Sequence, residues 1–396
     1  MSDSVFVGGA AMTAFQKPGA SPTYDVMGAD AVIRALGDAG LTYNDVDEAF
    51  VGFVFGDSGS AQQTLYRCGV TGIPITNLSN ACASGASAIY LASLAIRSGK
   101  ADCVLALGFD QMVAGSLGLS GYDDRPPVVE KHLAMLADSG QEPAFSPVIQ
   151  FFSLAAEEYR AQRGIDRTLF SEVAVKSRRH AVHNPYALFR EEITCEQVEH
   201  SRHVYGKFNL LHCCPPTSGA AAVLLVSEKF AKSYGIARNV ELAGVSQRSD
   251  GASSFNEGSF VKAVGYDMVR DGAAEAYEEA GVDPSDVDVA EVNDNFASTE
   301  LINYEALQLC APGDVEKYVL GAGNTYGGET VVNPSGGMLS RGHPLGATGV
   351  AQCVELTWQL RGQAGARQVP DAKVALQQVQ GFVSAGVVAV YKAHRQ

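Results

Sequence analysis

The sequence predicts an α/β protein made of two related halves, each alternating helices with strands. Two internal correspondences carry that prediction. "ALGDAGLTYNDVDEAFV" (35–51) and "AYEEAGVDPSDVDVAEV" (276–292) align without a gap and share eight of seventeen residues. Each copy reads as the end of an amphipathic helix, a glycine turn, an Asp/Ser-rich loop and a strand. Further on, "SGASAIYLASLAIRSGKADCVLALG" from Ser84 opens on small residues, runs as a helix and ends in an apolar strand. "LGATGVAQCVELTWQLRG", followed by "DAKVALQQ", does the same from Leu345. Small residues on both helices would let them approach closely at the centre. Composition agrees: 396 residues, 46% apolar and 18% charged, are enough for a large core in two or three domain-sized units.

Taken in order, residues 1–115 begin the first half. Residues 116–205 are richer in Pro, His and charge and have no repeat partner, so they are expected to form an inserted loop domain over one face. "FNLLHCCPPTSGAAAVLLVSEKFAKSYG" resumes apolar strand and helix periods, and residues 206–258 should complete the first half. Residues 259–396 form the second.

The formal charge of −15, with no long run of one sign, argues against nucleic acid as a partner, because a phosphate backbone needs a basic face. No stretch of about 18 apolar residues is present, so no membrane span is expected. "MSDSVFVGGAAMTAF" has no signal-peptide pattern, and "YKAHRQ" matches no organelle address, which makes the cytoplasm the expected location. The eight cysteines have no regular spacing and read mostly as small buried hydrophobes of a reducing compartment. "HCCPP" lacks the CxxC step of a zinc site, and no metal is expected.

Chemistry concentrates in two segments. In "SNACASGAS" (79–87), Cys82 lies where a strand passes into a helix. There, helix N-terminal N–H groups could stabilise a thiolate, and the Cys82 amide could receive an oxyanion. The same residues would also suit a crowded helix start. In "NPSGGMLSRGHPLGATG" (333–349), His343 stands between Gly342 and Pro344, so its backbone is restricted just before a helix. Most isolated histidines are structural, but His343 occupies the turn equivalent to that of Cys82. A Cys and a His meeting where two central helices start would be a nucleophile and its proton acceptor.

Together with "ALGFDQM" (106–112), "NTYGG" (324–328), "KVALQ" (373–377), "HAVHNPYALF" (180–189) and "CCPPTSGAAA" (213–222), these segments resemble the thiolase superfamily over essentially the whole chain. The nearest resemblance is to the thiolase domain of sterol-carrier-protein-type thiolases. It implies two βαβαβαββ halves in a five-layered αβαβα core, and a homodimer or dimer of dimers. It implies acyl-CoA and 3-oxoacyl-CoA thioesters as substrates, with coenzyme A as substrate or product and no permanently bound cofactor. Cys82 would carry the acyl group, and His343 would deprotonate it and hydrogen-bond the thioester or enolate oxygen.

The chain departs from that pattern where a second proton-transfer group is needed. "NDNF" (293–296) stands where the resemblance implies His-Asp-Cys-Phe, so Asn295 replaces a cysteine and cannot act as acid or base. "QQVQG" (377–381) puts Gln378 and Val379 where a His-Asn pair would be, just before Gly381. Cys310 and Cys353 lie on other segments without motif support. Asn293 matches an asparagine that holds a water in an oxyanion site of related enzymes. Cys82, His343 and Asn293 also resemble the Cys-His-Asn set of condensing enzymes. Two alternatives to a thiolase-like acyltransferase therefore stand: a carbon–carbon bond enzyme completed by a small partner subunit, and a non-catalytic acyl-CoA or lipid binder. Retention of both Cys82 and the Gly-His-Pro segment favours chemistry. A fused sterol-carrier domain is not expected, because the sequence ends soon after "GVVAVYKAHRQ".

One basic cluster, "KSRRHAVH" (176–183), stands out in an acidic chain. Lys176, Arg178, Arg179 and His180 would meet the phosphates of CoA if the insertion lines that site, as the resemblance implies. The alternative is a solvated helical face.

Overall fold

The computed structural model describes residues 4–113, 129–144 and 146–394. The expected start of the insertion, residue 116, lies outside them. Among the described residues, ten strands form one sheet: β1 (Val5–Met12), β2 (Glu48–Gly52), β3 (Ile75–Leu78), β4 (Cys103–Asp110), β5 (Gly219–Ser227), β6 (Val240–Arg248), β7 (Val289–Glu291), β8 (Val331–Val332), β9 (Val374–Gln380) and β10 (Gly386–Ala393). Across the sheet they run β3-β2-β4-β5-β1-β6-β10-β9-β7-β8. Read outward from the β1–β6 seam, the two halves are the same permutation. Pairing directions repeat as well. β2 lies parallel to β3 and β4, while β5 is antiparallel to β4 and β1. β7 lies parallel to β8 and β9, and β10 is antiparallel to β9 and β6.

The principal helices are α1 (Tyr24–Ala39), α2 (Ser84–Arg97), α3 (Pro147–Arg163), α4 (Thr168–Ala181), α5 (Tyr266–Ala280), α6 (Ala297–Ala306) and α7 (Leu345–Leu360). α1 buries Met27, Ala31, Val32, Ala35 and Leu36, the stripe that helical spacing dictates. It stops at Gly40, whose φ of 68° suits a left-handed cap; Gly281 ends α5 in the same way at φ 59°. These are the two glycine turns of the sequence repeat. β4 and β5 are buried along their whole length, which is why "CVLALGFD" and "GAAAVLLVS" read as continuous apolar runs rather than alternating ones.

α1 packs on β1 and β5, and α5 on β6 and β10. α2 and α7 pack on each other between the half-sheets, α7 reaching β4 and β5 on one side and β7 and β9 on the other. The layers are therefore helix, sheet, helix pair, sheet, helix. The inserted helices are not an independent body. Phe151, Phe152, Tyr159 and Phe170 of α3 and α4 share one apolar cluster with Ala273, Leu301 and Leu376 of the second half. No helix among the described residues is long and apolar enough to cross a membrane.

Candidate active site

Cys82 sits in the turn between β3 and α2. The residue before it, Ala81, has φ 47°, a left-handed conformation that costs a side-chain-bearing residue about 1 kcal/mol. Side chains hold it there. Ser84 Oγ donates to the Ala81 carbonyl at 2.7 Å and accepts from the Asn80 amide at 2.8 Å. Asn80 Nδ2 donates to Ser87 Oγ at 2.9 Å, and Ser384 Oγ donates to the Asn80 carbonyl at 2.8 Å. Ser79, Ser84 and Ser87, which read as small spacers, thus include the two hydroxyls that build the turn. Gly381 completes it from the other half, since a Cβ there would collide with the Asn80 carbonyl and Ser384 Oγ.

α2 and α7 begin against each other. A Cβ on Gly85 would strike the Gly346 carbonyl, and one on Gly349 would strike the Ala86 amide. The expected close approach of the two central helix starts is therefore present, and glycine is what permits it. Asp110, at the end of β4, ties the same place together. Its Oδ1 accepts from the Val54 and Phe55 amides at 3.0 and 2.8 Å, and its Oδ2 accepts from the Gly346 amide at 2.5 Å. Burial raises its pKa to about 6 against the opposing pull of those amides, so it is ionised at neutral pH.

His343 is buried, with its amide donating to Thr217 Oγ1 at 3.1 Å. Its Nδ1 lies 2.8 Å from Thr348 Oγ1, and that hydroxyl spends its one proton on the Pro344 carbonyl at 2.9 Å. Thr348 must then accept from His343, which places the imidazole proton on Nδ1 and the lone pair on Nε2. Nε2 is buried and has no hydrogen-bond partner among the described residues. Burial first, and the Arg341 guanidinium second, lower the His343 pKa to about 3, so the ring is neutral. Arg341 is itself wholly buried and paired with Glu291 at 2.9 Å.

The electrostatics correct one expectation. Cys82 is not held as a thiolate: burial, followed by the Asp110 charge, pushes its pKa up to about 12, and its own amide opposes this only in part. The resting pair is a neutral thiol and a neutral imidazole.

Asn293 and Asn295 lie together on the loop between β7 and α6. Asn293 Nδ2 donates to Asn295 Oδ1 at 3.0 Å, while Asn293 Oδ1 is buried without a hydrogen-bond partner among the described residues. One amide proton of Asn293 is thus spent on Asn295, leaving the other for a bound oxygen. Gln378 is a positioning residue. Its Oε1 accepts from the Asn293 amide at 2.9 Å and from Asn303 Nδ2 at 3.1 Å, and its Nε2 donates to Gln380 Oε1 at 2.7 Å. Asp294 points away into the single helical turn Gly337–Ser340, accepting from the Met338 amide at 2.6 Å.

Most of the basic cluster is not available to phosphates. Lys176 is buried in an ion pair with Glu300 and also donates to Tyr304 Oη at 3.2 Å and the Val332 carbonyl at 3.1 Å. His180 is buried between the Asn333 carbonyl and Thr325 Oγ1, at 3.0 and 2.7 Å. Arg178 lies buried over the Phe189 ring, 4.2 Å from its centroid. Arg179 alone of the four is exposed. It opens, with His183, Tyr326 and Arg367, onto a hollow of about 640 Å³ that neither Cys82 nor His343 lines.

Sequence reading passed over Cys214. Its amide donates to the Asn295 carbonyl at 2.9 Å, and two residues on, Pro216 pairs with His343. Nothing local signals this; the tandem cysteine of "HCCPP" was the only trace.

A strained cysteine turn and an oriented neutral histidine, one from each half of a duplicated α/β fold, stand at two helix starts packed against each other, and the fold defines the class: a two-half α/β protein. The chain belongs to the thiolase family, matching the thiolase N-terminal domain over residues 5–229 and the thiolase C-terminal domain-like family over residues 253–393. It is 45% identical over 392 residues to sterol carrier protein 2 of Homo sapiens, covering 98% of this chain and 72% of that one. It is 33% identical over 384 residues to benzoylsuccinyl-CoA thiolase subunit BbsB of Thauera aromatica, covering 95% and 94%. Among solved structures, the Ltp2-ChsH2(DUF35) aldolase aligns with a TM-score of 0.83 at 23% identity, covering 100% and 99%, a likeness of fold.

Proposed function

We propose that the protein is a thiolase-like acyltransferase that moves acyl groups between coenzyme A thioesters through an acyl-Cys82 intermediate. The observation that carries this reading is the unpartnered, buried Nε2 lone pair of His343 on the helix start that abuts the Cys82 turn. In the mechanism, a thioester carbonyl enters and Nε2 takes the Cys82 proton as sulfur attacks. The resulting imidazolium and the free N–H of Asn293 then face the developing negative charge, where donors have most effect. With both groups neutral at rest, ionisation is coupled to substrate arrival. Coenzyme A is substrate and product, and a homodimer is the expected assembly. Edge strand β3, half-exposed along its length, is available for it.

A second reading is a carbon–carbon bond enzyme completed by a partner subunit. It is favoured by Asn295, which carries no titratable atom beside the site, and by the relative named as a thiolase subunit. Incubation with acetyl-CoA and a series of 3-oxoacyl-CoAs, read by intact mass and by CoA-dependent cleavage, tests both. An adduct lost in Cys82→Ala together with cleavage supports the first reading, and an adduct without cleavage supports the second. CoA binding with no adduct from any thioester leaves only an acyl-CoA binder.

A further inference from the structure

Resting on the acyl-transfer reading, we propose that Cys214 is the second catalytic thiol, giving a proton to the carbon released when a 3-oxoacyl thioester is cleaved and taking one from the entering CoA thiol. The chemistry demands such a group. Cys82 sulfur adds to the 3-oxo carbon, the C2–C3 bond breaks, and its electron pair stays on C2 as an enolate that must be protonated. The polar residues of the site leave few donors. Asn293, Asn295 and Gln378 carry no acidic proton in water's working range. In this scheme His343 keeps the proton it took from Cys82 until it returns it to that sulfur, and its other nitrogen is bound to Thr348. Asp294 is turned into the Gly337–Ser340 helical turn.

Among the described residues, Cys214 is the thiol placed between the Asn loop and the His turn, and its backbone fixes it in place from both sides. Its amide bonds the Asn295 carbonyl, the neighbouring Cys213 pairs with Phe296, and Pro216 pairs with His343. The thiol thus stands on the short segment that bridges the Asn loop and the His turn. Those two loops carry the buried, unpartnered Asn293 Oδ1 and His343 Nε2. Cys82 and Cys214 both pack, half-buried, against the same apolar cluster. Burial, with the neighbouring Cys213 and Cys82 adding to it, holds the Cys214 pKa well above the usual thiol range. The thiol keeps its proton until a carbanion takes it, and the thiolate then formed is a strong enough base to take the proton of CoA. The CoA sulfur attacks acyl-Cys82, the C–S bond to Cys82 breaks, and Cys82 recovers its proton from His343. Every proton and electron pair is returned.

The test follows wild-type protein, Cys214→Ser and Cys214→Ala with acetyl-CoA in D₂O, reading two half-reactions. Acetylation of Cys82, by intact mass, should still reach the wild-type extent but more slowly, because departure of CoA reverses the step in which Cys214 takes its proton. Deuterium entry into the acetyl methyl should fall by about 100-fold or more, the usual worth of a positioned acid or base. Cys213→Ser should change neither. Exchange retained in Cys214→Ser or Cys214→Ala overturns the proposal and leaves the acyl-transfer reading intact. A wild-type protein that is never acetylated removes both. Should the variants fail to fold, wild-type acetyl-enzyme treated with iodoacetamide serves instead. Exchange should then be lost in step with alkylation of Cys214, and alkylation without loss overturns the assignment.

Discussion

Thr348 Oγ1 accepts the Nδ1 proton of His343 at 2.8 Å because its own proton is committed to the Pro344 carbonyl one helical turn back. The hydroxyl therefore selects the imidazole tautomer. Thr348→Val keeps the shape and removes the acceptor, so Cys82 acetylation should slow by about tenfold to a hundredfold, while Thr348→Ser stays close to wild type. Pre-steady-state acetylation measured by quenched-flow mass spectrometry checks this. Equal rates in Val and Ser variants would show that the tautomer is set elsewhere.

Asp110→Asn should separate two effects. An Asn at this position sets an NH₂ against an amide that now donates to a carboxylate oxygen, leaving a buried donor unmatched at a cost of about 1–3 kcal/mol. The urea midpoint should fall accordingly. Removing the charge also removes one of the two influences that raise the Cys82 pKa, so the pH midpoint of Cys82 alkylation should move down from about 12. Burial remains, so it should not reach that of an exposed thiol. An unchanged midpoint would contradict the influence of Asp110 on Cys82.

His132 reports through stability. It lies buried among Phe151, Phe255 and Phe382, and burial lowers its pKa from 6.5 to about 4. Between those values the unfolded chain binds a proton that the folded chain does not, so the contribution is complete above pH 6.5 and is lost as pH falls towards 4. The stability of His132→Phe relative to wild type should therefore rise by about 3 kcal/mol between pH 7 and 4. Urea unfolding at four pH values measures it. A pH-independent difference would mean that His132 is protonated in the folded protein.

Lys176→Met should behave as a structural variant. It strands the buried Glu300 carboxylate without its cation, and losses of about 3–5 kcal/mol attend such changes. Arg179→Ala, four-fifths of a turn further along the same helix and exposed, should shift stability by less than about 0.5 kcal/mol. Thermal unfolding of both settles it. Similar small shifts would restore Lys176 to the surface role that its sequence context suggests.

The duplicated fold was legible because each copy of the repeat encodes a complete local event: a helix end, a glycine in the left-handed region at Gly40 or Gly281, and a strand start. Cys82 and His343 were legible for the same reason, each lying in a turn whose small residues and proline announce it. What escaped were features made by distant pairing. Cys214 gains its place from Asn295, which lies 81 residues later in the chain, and no local pattern records that bond. The basic cluster misled because a helix spreads consecutive residues around its axis. Lys176 and His180, four apart, share the inward face, while Arg179 points outward.

The meeting of α2 and α7 has a consequence for how the protein is built. On the acyl-transfer reading the nucleophile belongs to one half and its base to the other, so neither half would own a working centre. A chain severed between β5 and β6 would yield two fragments, each silent alone, whose recovery of activity on mixing would time the docking of the halves themselves.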